Sequence, residues 1–287
     1  MAKYDTRADK VFGFFNAVLL LAFTALTAYP LIWIVSSSLS DPHAQLAGQV
    51  RLLPVGFELT AYRIVFQHPD IWRAYWNTIV YTTVGVTISV ILSAFYAYPL
   101  SRKHFFGRKF FTTVLMITML FSGGMIPTFL LVSQLGLLDT IWAIVLPSAI
   151  SVYNIIVMRT FYMTNIPDDL EESAFLDGAH DLRFFWHIVL PLSKAIAAVM
   201  VLFYGVTAWN SWFNAFLYTS SRRMFPLQLI LREIILQGTA ATGAESDIIR
   251  DGVRFATMVV ATVPIMCLYP FIQKYFTKGV MVGSLKG

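Results

Sequence analysis

The residues best equipped for chemistry fall in two sets. The first is an acidic run, TNIPDDLEESAFLDGAHDLRFFWHIVLPL, which holds six of the chain's sixteen acidic residues: Asp168, Asp169, Glu171, Glu172, Asp177 and Asp181. The second is a set of amides and rings in apolar surroundings: Tyr153 and Asn154, then Tyr204, Trp209, Asn210, Trp212 and Asn214. Rings beside amides suit a sugar, whose C–H faces stack while its hydroxyls need hydrogen-bond partners. The same amides could instead bond neighbouring helices, and the sequence leaves both readings open. Enzyme constellations are missing. There is no H-E-x-x-H motif and no nucleophile–base pair, and His43, His68, His104, His180 and His187 fall in loops or at interfaces. No G-x-x-x-x-G-K-[ST] loop occurs, so ATP must be bound by another chain if it is used at all. The single Cys267 excludes an internal disulfide or a Cys-based metal site and reads as a small buried hydrophobe.

The elements that must position both sets are membrane helices. Of 287 residues, 57% are hydrophobic and 13% charged, about half the charged share of a soluble domain. Charges cluster, with long uncharged stretches between them, and only a lipid solvent favours that arrangement. Six stretches are long enough to cross a bilayer: 11–36, 78–100, 110–132, 140–162, 188–217 and 255–276. The expected fold is therefore all-α and polytopic, one transmembrane domain over residues 1–287 with a cytoplasmic segment at 163–187 and a tail at 279–287. The first stretch exceeds a secretory-signal core and lacks a clear cleavage site, so it reads as a retained anchor. Pro147 and Asn154 interrupt the fourth, and Trp209, Asn210 and Asn214 the fifth, which is long enough to need tilt, a kink or an interfacial extension. In the third, Gly123-Gly124-Met125-Ile126-Pro127 frees backbone groups, which either kinks a path wall or allows close packing.

Orientation follows from short-loop cations. Lys3, Arg7 and Lys10, then Arg102, Lys103, Arg108 and Lys109, then Lys274, Lys278 and Lys286 all fall on one side of a six-span chain, the cytoplasmic one, with both termini inside. Arg222, Arg223, Arg232, Arg250 and Arg254 in the last outer loop run against this contrast. Membrane lipid is thus the bulk partner. Although the net charge is +5, no basic block exceeds Arg222-Arg223 or the 102–109 cluster, which excludes nucleic acid as a ligand. Trp72, Tyr75 and Trp76 before the second span read as an interfacial belt or as a surface for an external partner, and FPLQLILREIILQG as an amphipathic helix ending at Gly238.

The acidic run has a derivable shape. Asn165 serves as a cap, Pro167 suits a first turn, and the acidic residues that follow favour the positive end of the helix dipole. Gly178 can take positive φ and end the helix after about three turns. A second helix restarts near Asp181 and enters the fifth span at Ile188, with Pro191 in the junction. Leu170, Ala174 and Phe175 then need a surface to pack on, and a groove on a soluble partner suits an acidic helix better than anionic headgroups do.

Glu172-Ser173-Ala174-Phe175-Leu176-Asp177-Gly178-Ala179, followed after eight residues by Ile188-Val189-Leu190-Pro191, resembles the EAA signature of ABC importer permeases. Ser173 stands where Ala is commonest, a small-for-small change. The resemblance implies a type I importer permease fold in which this segment is the coupling helix. Leu170, Glu171, Glu172, Ser173, Ala174, Asp177, Gly178 and Ala179 would then meet a cytoplasmic ATPase, with Glu172, Ala174, Asp177 and Gly178 forming the contact. It further implies a second permease, two ATPase subunits holding ATP and magnesium, an external or periplasmic solute-binding protein, and a bacterial inner membrane. The terminal KYFTKGVMVGSLKG resembles the smaller carbohydrate-uptake permeases of the maltose type, those for complex oligosaccharides such as alginate or rhamnogalacturonan fragments. Such a tail can reach between ATPase subunits. The alternatives are another solute of the same family, such as a polyol or glycerol phosphate, and a secondary transporter. The latter needs an intramembrane ionisable residue or an inverted repeat, and neither is visible.

Overall fold

The computed structural model describes residues 7–240, 251–267 and 270, and every described element is a helix apart from one isolated bridge between Ser40 and Phe57. The predicted tail at 279–287 and the end of the predicted sixth span lie outside the described residues. In chain order the helices are α1 (Arg7–Ser38), α2 (Pro42–Leu46), α3 (Thr60–Gln67), α4 (Ile71–Ser101), α5 (Arg108–Leu120), α6 (Met125–Gln134), α7 (Ile141–Val145), α8 (Val152–Asn165), α9 (Asp168–Leu176), α10 (Asp181–Phe184), α11 (Leu190–Leu192), α12 (Lys194–Trp209), α13 (Phe213–Tyr218), α14 (Leu227–Ala240) and α15 (residues 251–267).

Among the described residues, α1 and α4 are the unbroken helices long and apolar enough to span a membrane. Three helix pairs are long and apolar enough only when taken together, each bent at a short break: α5 with α6 at 115°, residues 141–148 with α8 at 55°, and residues 181–192 with α12 at 78°. Each bend has a chemical cause. Between α5 and α6, Gly124 takes φ +86° and its N–H is met by the Ser122 hydroxyl at 3.2 Å, so the predicted third span is two helices and not one rod. Before α8, Pro147 ends the preceding helix in a 3₁₀ turn. Before α12, residues 185–189 form a π turn. That turn accommodates Pro191, whose missing N–H and bulky ring would disrupt a regular α ladder.

The described residues form two compact units. One draws on Met1–Pro69 and Leu231–Val263, the other on Asp70–Ile230 and Pro264–Gly287. In the first, Trp33 meets Phe255 edge-on at 5.0 Å and donates from Nε1 to the Val50 carbonyl at 3.2 Å. Ser36 holds the Leu52 carbonyl at 2.7 Å, and the Ser38 and Tyr62 hydroxyls bond at 2.8 Å. The apolar window of α1 has no buried residue, as a helix solvated by lipid or by another subunit requires. Cys267, expected to be buried, is exposed.

In the second unit α4 packs along α8 and α12. Their shared core holds Ala97, Leu100, Ile155, Met158, Tyr162 and Met200, and Phe184, Phe185 and Val189 continue it below α9. The chain after α13 is strapped to the start of α4. Asn77 Nδ2 donates to the Arg223 and Phe225 carbonyls, Tyr81 donates to Met224, and Thr78 receives the Leu227 N–H. Arg222, one of the arginines opposing the charge contrast, is neutralised by Asp70 at 2.7 Å. Helix α14 runs two residues beyond Gly238, and Leu227, Leu229, Ile230 and Leu231 are all buried.

Candidate functional site

The acidic run folds as two short helices hinged at a glycine. Pro167, in extended backbone, occupies the cap position of α9. Asn165 is not the cap; it closes α8, donating from Nδ2 to the Phe161 carbonyl at 3.0 Å. Asp168, Asp169 and Glu171 fill the first turn, where the helix dipole favours negative charge. Gly178 takes φ +80°, and the N–H groups of Gly178 and Ala179 close on the Phe175 and Ala174 carbonyls at 3.0 and 2.9 Å. These bonds satisfy the end of the helix and reverse the chain. His180 then caps α10, its Nδ1 accepting from the Arg183 N–H at 3.3 Å.

Helix α9 has two faces. Leu170, Glu172, Ser173, Asp177 and Gly178 are exposed, as are Phe175 and Leu176. Glu171 and Ala174 are turned into their own unit, at 4% and 8% exposure, and Ala179 is half-buried. Ala174 is thus turned inward, away from the exposed residues of α9. A small residue there lets α9 lie close on the Phe184 layer, and Phe175 meets the Phe184 ring at 6.3 Å.

What holds α9 down is Arg102, which composition read only as an orientation charge. It follows the last residue of α4 and is 2% exposed. Its Nη1 lies 3.4 Å from Glu171 Oε2, 3.4 Å from the Ile166 carbonyl and 3.8 Å from Asp168, with the guanidinium 5.5 Å from the Tyr98 ring centre. Beside it, exposed Lys103 bonds Asp168 at 2.8 Å and holds that carboxyl below its ordinary pKa; the same bond raises the Lys103 ammonium. The only sequence clue to Arg102 is its place at the helix end, ahead of the exposed cations. His104, Glu171 and Asp181 bring three potential metal-ligand atoms within 4.8 Å of one another. Arg102 already supplies the positive charge beside Glu171, so the group is an ion-pair network, and a metal cation would have to compete with the guanidinium.

The amide and aromatic residues are less gathered than their spacing suggests. Asn210 and Asn214 do not share a helix face, because α12 ends at Trp209 and α13 starts at Phe213. Asn210 bonds the Val206 carbonyl of its own last turn at 2.8 Å, and Asn214 bonds the Ile144 carbonyl at 3.1 Å, which ties α13 to α7. Trp212 packs on Phe213 and Phe216. Trp209 and Asn154 are buried, and Tyr153 is exposed. Tyr204 is buried, its hydroxyl paired with Ser93 at 2.6 Å and accepting the Ser151 N–H at 3.2 Å.

Residues 85–282 match the family of binding-protein-dependent transport system inner membrane components, and the chain belongs to that family. It is 39% identical to Protein LplC of Bacillus subtilis, over 99% of this chain and 98% of that one. It is 40% identical to the polygalacturonan/rhamnogalacturonan transport system permease protein YtcP of the same organism, over 96% of this chain and 97% of that one. A crystal structure of a bacterial ABC transporter involved in the import of the acidic polysaccharide alginate matches with a TM-score of 0.83 and 36% identity, covering 96% of this chain and 100% of that chain. The fold is that of a type I ABC importer permease.

Proposed function

We propose that this chain is one permease half of an ATP-driven importer that moves an oligosaccharide across the bacterial inner membrane by alternating access. The observation that carries the reading is α9: an acidic helix with an exposed face of Glu172, Ser173, Leu176, Asp177 and Gly178, seated from beneath by Arg102 and Glu171. An exposed leucine at 89% beside two carboxylates is poorly suited to water and well suited to a groove on a soluble subunit. Glu171 and Ala174 set the height and tilt of the helix, and the exposed residues make the contact. The partner is an ATPase subunit on the cytoplasmic side, present in two copies that hold ATP and magnesium. A second permease completes the pathway, and an external binding protein delivers the solute. Both termini lie on the ATPase side with Lys103, Arg108 and Lys109, and the tail at 279–287 follows them. The saccharide assignment draws on relatives named for pectic polysaccharides and on the alginate importer.

The test is copurification and transport. Glu172→Lys reverses a charge on the exposed face, and Gly178→Pro forbids the φ of +80° that ends α9. Both are expected to abolish binding-protein-stimulated ATP hydrolysis and saccharide uptake in proteoliposomes. If both variants assembled and transported as the wild type does, α9 would not be the coupling element.

A further inference from the structure

The helix pair α4–α12 has two unlike flanks. One is mostly apolar, a cavity of about 350 Å³ walled by Val86, Val201, Leu202, Val206 and Trp209, with Thr82, Thr83 and Thr87 among them. The other, facing α7, is a cavity of about 220 Å³ in which the hydroxyls of Tyr81, Ser89, Ser148, Tyr204, Thr207 and Ser211 stand among the apolar Ile144, Val145 and Ala208. Tyr81, Gly85 and Ser89 recur every four residues along α4, so one stripe of that helix faces the space, and Gly85 keeps it open beside Val145. No charged residue lines it.

The orientation of these hydroxyls decides what the space can hold. Thr207 donates its proton to the Phe203 carbonyl at 2.9 Å, Tyr81 to Met224 at 2.9 Å, and Ser148 to Val145 at 3.4 Å. With their protons committed to backbone, these oxygens offer lone pairs. The wall is therefore rich in acceptors, suited to O–H donors and unsuited to a carboxylate, which only accepts. Its volume lies below the ~300–1,000 Å³ of pockets that enclose a drug-sized ligand. That leaves room for about one sugar ring and not for a chain.

We propose that this cavity is a sugar-ring subsite of the permease, which grips one residue of the passing saccharide by its hydroxyls and leaves any carboxylate facing away from this chain. It rests on the importer reading above and adds the subsite and its chemistry. Recognition by hydroxyls alone lets a polymer slide, since each ring offers the same donors and no ion pair has to be broken.

The experiment uses the assembled complex in proteoliposomes. Tritium-labelled galacturonate, alginate and galactose oligosaccharides of two to five residues serve as probes, and the readout is sugar moved per ATP hydrolysed. Thr207→Val, which keeps the shape and removes the oxygen, is expected to lower that ratio about 2- to 10-fold, the loss of one hydrogen bond. Thr207→Ser, which keeps the oxygen, is expected to restore it, and Ser148→Leu, which fills the cavity, to lower it at least as far as Thr207→Val. An unchanged ratio in Thr207→Val and Ser148→Leu, whether both rates fall together or neither falls, overturns the subsite. A wild-type complex that hydrolyses ATP with its binding protein yet moves none of the probes overturns the saccharide reading itself.

Discussion

Replacing Arg102 by Met removes the positive charge beneath α9 and leaves the Glu171 carboxylate, 4% exposed, without its guanidinium partner and close to the Asp181 carboxylate. At 3.4 Å and an effective dielectric near 20, the direct attraction is about 5 kcal/mol. Desolvation of both ions cancels much of it, so the net worth of the pair is small. The cost of orphaning one member is not small, about 3–5 kcal/mol. Loss of the contact with the Tyr98 ring adds up to about 2 kcal/mol. We expect Arg102→Met to lower the melting temperature of the purified complex and to uncouple ATP hydrolysis from uptake, because α9 can then lift off α4. The double variant Arg102→Met/Glu171→Leu removes both ions and is expected to regain most of the thermal stability. Lys103→Met, at an 81% exposed side chain, is the control and should lower the melting temperature far less than Arg102→Met. The reasoning is refuted if Arg102→Met is as mild as Lys103→Met, or if the double variant is as unstable as the two single variants combined.

Further outcomes follow from the same geometry. The Lys103–Asp168 bond has a pH window. The lowered Asp168 pKa gives stability present above the ordinary carboxylate value near 4 and lost as pH falls through the lower native value, while the raised Lys103 pKa gives stability present below about 10.4 and lost as pH rises through the higher native value. Melting temperature should thus be insensitive to Lys103→Met outside these limits, and added salt should weaken the bond at neutral pH. Gly178→Asn should keep α9 docked, whereas Gly178→Val, forced to φ +80°, should cost at least ~1–2 kcal/mol and be lost from ATPase copurification. Asn214→Leu strips the Ile144 carbonyl of its side-chain partner and should cost about 1–3 kcal/mol, read as a lower melting temperature, while Asn210→Ala should be mild, because the Val206 carbonyl keeps the backbone N–H of residue 210.

Local chemistry made much of α9 legible in advance. Acidic residues at its start, Gly178 at its end and the restart at Asp181 are dictated within one or two turns, and each stands where it was expected. Asn165 does not cap α9 because it still belongs to the last turn of α8, where its Nδ2 donates to the Phe161 carbonyl, and Pro167 takes the cap position. Span edges were less legible. A hydropathy window averages over Gly124 and Pro191, yet a single residue with positive φ or a missing N–H is enough to bend a helix by tens of degrees. The four-residue spacing of Asn210 and Asn214 misled for the same reason, since periodicity carries meaning only while the helix continues.

Composition by itself determined that the chain lives in lipid, because no soluble fold covers this much apolar surface with so few charges. Residue order in the acidic run determined that a helix–glycine–helix unit stands outside the bilayer. Only the tertiary structure decided which side of α9 is free. The pattern of Glu171, Glu172, Ser173 and Ala174 is polar and small throughout, and nothing within it tells the seated pair from the exposed pair. A cation sixty-nine positions earlier makes that choice: Arg102 lies at the end of α4, where α4 and α8 bring it under the helix, and burial then admits one carboxylate and excludes the next.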